Sequence, residues 1–219
     1  MQKNGVMTDY RDDVRKKILA CAMNNFRQKG VKSVKMDDIA TQLSISKRTL
    51  YEIYKNKEDL LFECIKDYNI TMDDKLSHLV SPDYNVIEVL IVFLRLNIEE
   101  ISRVNPLFYM EIHKYPKVLS FLNEKQQIRR KRSVEFMLRG VKEGLFREDV
   151  NYEVTNLMAD IFMKHVMNTQ MYNTIPLPEI IHNVIMILLR GICTESGLCE
   201  LARITASPLV SHHAPCATS

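Results

Sequence analysis

At 219 residues the chain can bury a full core, and one or two domains are expected. A formal net charge of +3 is too mild to argue for a polyanionic partner by itself, and no apolar run reaches the roughly 20 residues that span a bilayer. The N-terminus lacks the apolar stretch of a signal peptide, and the five cysteines, Cys21, Cys64, Cys193, Cys199 and Cys216, form neither a C-x-x-C motif nor a close pair. Reduced thiols and a cytoplasmic protein are therefore expected, with the cysteines serving as small core hydrophobes rather than as a redox pair. The distribution of charge says more than its sum. Residues 1–66 hold 14 Lys/Arg against 9 Asp/Glu, whereas residues 67–219 hold 16 against 18. The basic surplus lies wholly in the N-terminal part, as expected for a footprint on phosphate.

Strand-like alternation and hairpin dipeptides are missing and glycine is scarce, so the chain is read as all-α. A first helix is predicted over about Asp9–Lys29, with Val14, Ile18, Ala22 and Phe26 in one stripe and Leu19 and Met23 beside it. Asp12 and Asp13 fall in its first turn and Arg27 and Lys29 in its last, both favourable for the helix dipole. Gly30 supplies the left-handed residue that ends it. Two short helices follow, at about Met36–Leu43 and Lys47–Tyr51. Ile39, Leu43, Ile45, Leu50 and Ile53 recur there at the spacing two helices need to pack at a steep angle, and the small Ala40 lets them approach closely. Asn56 caps a long helix that carries Leu60, Leu61, Cys64, Ile65, Tyr68 and Met72 inward and ends before Pro82.

Downstream, Val86–Val104 is strongly apolar and reads as central to a core. A short aromatic-rich segment, Pro106–Lys114, is closed by Pro116. Lys117–Glu143 is a long amphipathic helix stopped by Gly144. Its run Arg129-Arg130-Lys131-Arg132 invites a nucleic-acid reading, but Ile128, Val134, Phe136 and Met137 flank it at core spacing, and a solvated face is preferred. Tyr152–Asn168 and Pro178–Thr194 close the helical part; the second is apolar around most of its circumference and must be covered on both sides. The expected organisation is a DNA-binding unit over residues 8–56, a helical unit over 57–200 and a flexible tail over 201–219 that contains His212 and His213.

The segment MDDIATQLSISKRTLYEIYKNKEDLL, Met36 to Leu61, carries the most specific signal. It forms a helix-turn-helix whose second helix clusters Ser46, Lys47, Arg48, Thr49 and Tyr51 on an outer face that can enter a DNA major groove. Over about Val14 to Ile65 the chain resembles the TetR/AcrR family of bacterial regulators, in which an acidic-Ile-Ala turn, a Ser-Lys-x-x-Leu-Tyr recognition helix and a Lys-x-Lys-Glu-x-Leu-Leu helix start recur in this order. Three residues depart from that pattern. Ser44 stands at the turn where Gly is common, so the turn is expected to form without a residue that enters the left-handed region freely. Lys35 stands where Ser or Thr is usual; it can reach a phosphate but cannot cap a helix N-terminus. Glu52 brings a carboxylate near DNA.

Roles follow for this segment. Lys47 and Thr49, at the start of the recognition helix, can reach base edges or nearby phosphates, and Arg48 can form a bidentate contact to guanine. Tyr51 and Tyr54 have hydroxyls suited to phosphate, although Tyr54 reads equally well as a core ring. Lys57, at the start of the following helix, can grip a phosphate with the helix dipole assisting. Glu52 can accept from a cytosine amine or pair with Arg48 at i, i+4, and the pairing is preferred.

The resemblance also implies a homodimer in which the last two helices form a four-helix bundle, placing the recognition helices about 34–36 Å apart for a palindromic operator. It further implies a cavity for a small, apolar effector, and Phe93, Asn97, Tyr109, His113, Phe136, Met137, Phe162, Met163 and His165 are the candidate lining residues. Twelve methionines suit irregular apolar ligands, although such a stripe is more often plain core. No cofactor or metal is expected. G-x-G-x-x-G, a phosphate-binding Gly-rich loop, H-E-x-x-H and G-x-S-x-G are all missing, which argues against an enzyme. The expectation is a DNA-binding, ligand-responsive repressor. The alternatives are a helical small-molecule-binding protein without DNA activity and a DNA binder without an effector.

Overall fold

A run of ten helices builds the chain in the computed structural model, which describes residues 3–80 and 83–206, with the backbone alone for residues 3–10. They are α1 (Lys3–Lys29), α2 (Met36–Gln42), α3 (Lys47–Ile53), α4 (Lys57–Leu79), α5 (Val86–Ser102), α6 (Pro106–Ile112), α7 (Pro116–Lys142), α8 (Tyr152–Asn168), α9 (Leu177–Ile192) and α10 (Glu195–Ala206). A single 3-10 turn, Met171–Asn173, joins α8 to α9. No strand occurs among the described residues; one isolated antiparallel bridge pairs Phe146 with Cys193. The all-α class read from the sequence is found.

Capping chemistry sets the boundaries. Asn56, Asn85, Asn105 and Asn151 each accept a backbone N–H of the first turn they precede, and Ser46 does the same for α3. Such caps satisfy donors that helix geometry leaves orphaned. Gly30 ends α1 at φ +79 and Gly144 follows α7 at φ +73, left-handed positions that glycine enters at little cost. The sequence reading placed Asp12 and Asp13 in the first turn of α1. The helix begins at Lys3, so these two carboxylates sit well inside it and contribute little to its dipole.

Two apolar clusters hold the helices together. The first joins Ile18, Ala22 and Phe26 of α1 to Ile39, Ala40 and Leu50 of the short pair and to Leu60, Leu61, Cys64 and Ile65 of α4. It extends past the head formed by α1, α2, α3 and the start of α4 into Phe108, Ile112 and Val118, so α6 and the start of α7 pack on the same core. The second gathers Val86, Ile87, Ile91 and Leu94 of α5 with Ile180, Ile181, Leu189 and Ile192 of α9 and Leu201 and Ile204 of α10. Tyr109 touches both clusters.

The tail expected from residue 201 is corrected in part. Residues 195–206 form α10, with Leu201 and Ile204 buried against the second cluster. A Cβ on Gly197 would collide with the Leu145 carbonyl, so this glycine permits close packing instead of breaking the helix. The rest of the expected tail, 207–219, with His212, His213 and Cys216, lies outside the described residues, as does Pro82.

The apolar surplus is also distributed differently. On α9 only Ile187 is strongly exposed, at 68%. On α8, by contrast, Val154, Leu157, Met158 and Ile161 form an exposed stripe at i, i+3, i+4, i+7, with Met158 and Ile161 each 57% exposed. That spacing is one face of a helix.

Candidate nucleic-acid interface

The turn between α2 and α3 is closed by the Ser44 N–H donating to Thr41 O at 3.1 Å and the Ile45 N–H donating to Ala40 O at 3.0 Å. Ser44 itself takes φ 54. The turn therefore forms without a residue that enters the left-handed region freely, and Ser44 takes that conformation nonetheless. The chain places an ordinary L side chain where glycine would be unstrained, at a conformational cost of about 1–2 kcal/mol. Lys35 indeed provides no side-chain cap for α2. Asp38 compensates by accepting the Lys35 backbone N–H at 3.2 Å.

Leu50 anchors α3 with no exposed surface, and the opposite side of the helix faces outward. Ser46 Oγ accepts the Thr49 N–H at 3.0 Å and lies 2.8 Å from Thr49 Oγ1, which fixes both hydroxyls at the helix start. Lys47 and Arg48 are exposed, and Tyr51 is 46% exposed. The Arg48–Glu52 pairing is present, Nε to carboxylate at 2.8 Å. Lys47 reaches back to Asp37 on α2 at 2.6 Å, a partner the sequence reading missed. Both cations are held above their ordinary values, Lys47 chiefly by the hydrogen bond to Asp37 and Arg48 chiefly by that to Glu52. The two helices are held to α1 by Asn25, whose amide donates to Gln42 Oε1 at 2.8 Å while its oxygen accepts Lys29 Nζ at 2.9 Å.

Two of the expected contacts stand elsewhere. Tyr54 is only 3% exposed, among the core residues of the head. Burial pushes its phenol up, and the Arg15 guanidinium carbon lies 6.0 Å from its ring centroid. It is a core ring, because Leu50 and Tyr54 are four residues apart and share the inner side of the chain. Lys57 does not project from α4 towards solvent. Its ammonium donates to the carbonyls of Val31 at 3.0 Å, Lys32 at 3.3 Å and Val34 at 3.0 Å, pinning the loop between α1 and α2. The exposed cation beside α3 is Lys55 instead. Its position two residues before Lys57, outside both helices, was the available signal.

The nine expected effector residues lie in the helical part downstream of α4. Tyr109, Phe136, Met137, Phe162 and Met163 are partly buried packing residues of the second cluster. Asn97 turns its amide back to Phe93 O at 2.8 Å, while His113 and His165 are exposed. Among the clefts that open at the surface of the described residues are one between α1, α4 and α5, one between α7 and α8 and one beside the 3-10 turn, and none of the nine lines any of these. Among the described residues no group of three or more His, Cys, Asp or Glu could hold a metal ion, and no helix is long and apolar enough to cross a membrane.

Comparison with known proteins agrees with this geometry. Residues 18–64 match the bacterial regulatory proteins of the tetR family. No curated protein matches the chain in sequence. Among solved structures, a TetR-family transcriptional regulator from Marinobacter aquaeolei VT8 aligns with a TM-score of 0.70 at 17% identity, over 87% of this chain and 96% of that one. A transcriptional regulator from Saccharomonospora viridis, solved in complex with choline, aligns at 0.68 and 17% over 84% and 99%. The ketosteroid transcriptional regulator KstR2 of Mycobacterium tuberculosis aligns at 0.58 and 21% over 83% and 95%. At these identities the structures share the fold alone. Residues 18–64 thus match the tetR family of bacterial regulatory proteins, and the helical architecture around them is the fold of the solved regulators.

Proposed function

We propose that the protein is a homodimeric, ligand-responsive repressor that binds a palindromic operator through α3. The observation that carries this reading is the outer side of α3. There Lys47, Arg48, Thr49 and Tyr51 project from a helix whose inner side is fixed by the fully buried Leu50. The first turn of a recognition helix is where base edges are reached. Arg48 reads guanine once Glu52 has oriented it, and Lys47, Tyr51 and Lys55 hold phosphates. Lys35 remains available for a phosphate as well, being exposed at the start of α2.

The dimer half of the proposal rests on the α8 stripe. Four exposed apolar side chains in i, i+3, i+4, i+7 register, with Ile187 of α9, are what a helical two-fold interface needs. The test is to select bound fragments from the source genome with purified protein, beside an Arg48→Ala, Tyr51→Ala variant and an Ile161→Glu variant. A shared palindromic site recovered by the wild type alone, with Ile161→Glu monomeric in solution, is the expected result. Folded, dimeric wild-type protein that enriches no site would refute the regulator reading. A dimeric Ile161→Glu protein would refute the α8 interface.

A further inference from the structure

The cleft between α1, α4 and α5 has a volume of about 490 Å³, within the ordinary range for small-molecule sites. It follows α1 from Leu19 to Gln28 and α4 from Cys64 to Lys75. At a rise of 1.5 Å per residue those stretches are about 14 and about 16 Å long, so the cleft is elongated. Leu19, Met23, Cys64 and Met72 give it an apolar lining.

The same lining holds a polar latch. Arg27, in the last turn of α1, donates to Glu100 Oε2 at 2.6 Å and to Glu100 O at 3.3 Å, joining α1 to α5. Its guanidinium carbon lies 5.4 Å from the ring centroid of Tyr68 on α4. The Arg27 carbonyl also accepts the Asn105 N–H at 2.7 Å, just before α6. One side chain and its own carbonyl thus tie the end of α1 to three other parts of the chain. Both latch side chains line the cleft and keep some exposure, 21% for Arg27 and 28% for Glu100. The cleft's charged lining is three cations, Arg27, Lys75 and Arg103, against two carboxylates, Asp67 and Glu100, with Arg103 also paired to Glu99 four residues before it.

We propose that this cleft binds an elongated amphiphile with a carboxylate head, which takes the Arg27 guanidinium from Glu100 and so releases α1 from α5. The apolar body lies along Met23 and Met72, and Lys75 and Arg103 attract the head to the rim. A carboxylate replaces Glu100 with the same planar acceptor geometry, which a hydroxyl cannot. A cationic head would meet the Lys75 ammonium at the rim and find Glu100 already held by Arg27, which leaves it Asp67 alone among the lining carboxylates. Release of the latch reaches α2 through the Asn25–Gln42 hydrogen bond two residues before Arg27, so occupancy biases the position of the DNA-reading pair. This coupling rests on the proposed regulator reading; binding does not.

The chain has no tryptophan, so Ala20→Trp, at an exposed position on the cleft wall, installs a single emission reporter in the full-length protein. Decanoate, 1-decanol and decylamine are titrated below their micelle concentrations. Decanoate shifts the emission saturably and binds about ten-fold or more tighter than decanol, the ratio one charge-assisted hydrogen bond supports. Arg27→Met removes that preference. Lys75→Glu, at the exposed rim, weakens decanoate selectively and keeps the test open should Arg27→Met fail to fold. Glu100→Gln, a weaker competitor for Arg27, tightens decanoate. Equal binding of acid and alcohol, tighter binding of the amine, no saturable shift, or weaker decanoate binding to Glu100→Gln would each overturn the proposal. Since emission is read without DNA, failure of this site and failure of the regulator reading are separable.

Discussion

Replacing Lys57 with Met separates a structural lysine from a phosphate-gripping one. In the structure the ammonium donates to three carbonyls at 3.0 to 3.3 Å. Two of these carbonyls belong to Val31 and Val34, residues with 0% and 2% exposure. The third belongs to the exposed Lys32 and can return to water. Methionine keeps the stem of the side chain but leaves two poorly hydrated carbonyls without a donor, each costing about 1–3 kcal/mol. Partial rehydration of the loop reduces the sum, so Lys57→Met is expected to cost about 2–4 kcal/mol. Urea unfolding of the full chain reads this as a lower midpoint at unchanged slope. DNA affinity, measured well below the unfolding midpoint, should keep its dependence on salt. A loss of under about 0.5 kcal/mol together with a salt slope shallower by about one unit would show the opposite. Lys57 would then hold a phosphate, and the carbonyl clamp would be incidental.

Three further outcomes are expected. Ser44→Gly should raise stability by about 0.5–1 kcal/mol, because relief of the left-handed strain exceeds glycine's extra entropy in the unfolded chain; a lower urea midpoint would refute the strain. Arg48→Ala should cost about 1–3 kcal/mol at one base pair of the selected operator and little on random duplex, so equal losses on both would reassign Arg48 to phosphate. The Lys117 ammonium, 2.8 Å from Asp59, holds that carboxyl below its ordinary value, chiefly through the hydrogen bond. A depressed carboxyl contributes stability above its unfolded pKa, and that contribution is lost as pH falls through the lower folded value. Below about pH 4 the wild type should therefore lose an advantage over Lys117→Met that it holds at neutral pH, and parallel pH profiles would refute the linkage.

What the sequence showed best were elements with chemical punctuation. Tyr152–Asn168 is found with both ends as read, since Asn151 caps one end and α8 carries a clear apolar period. α10 was not read from the sequence, and Gly197 is the residue its packing turns on. That role, allowing the helix to approach the Leu145 carbonyl, depends on a segment some fifty residues away in sequence. The helix-turn-helix was legible from spacing, and the Arg48–Glu52 pair from the i, i+4 rule. The fate of Tyr54 and Lys57 was not, because each is decided by tertiary neighbours, the core of the head for one and the carbonyls of a preceding loop for the other. The lining of the cleft between α1, α4 and α5 was the least legible. Apolar period marks what is buried and cannot separate packed core from the wall of an open cleft.

The Asp37–Lys47 and Arg48–Glu52 pairs bear on how such a head would travel over a chromosome. Each cation at the start of α3 already holds an anion of its own. On the proposed DNA-bound reading, meeting a phosphate exchanges one negative partner for another instead of discharging a bare positive charge. Random duplex, which offers phosphates and little else, then gains a weak hold, and the protein leaves it quickly. An operator offers base edges as well, and only those contacts are new. Neutralising its own reading face would thus shorten each wrong visit more than the right one, and the time lost among non-cognate sites would fall without any change in the bases that are read.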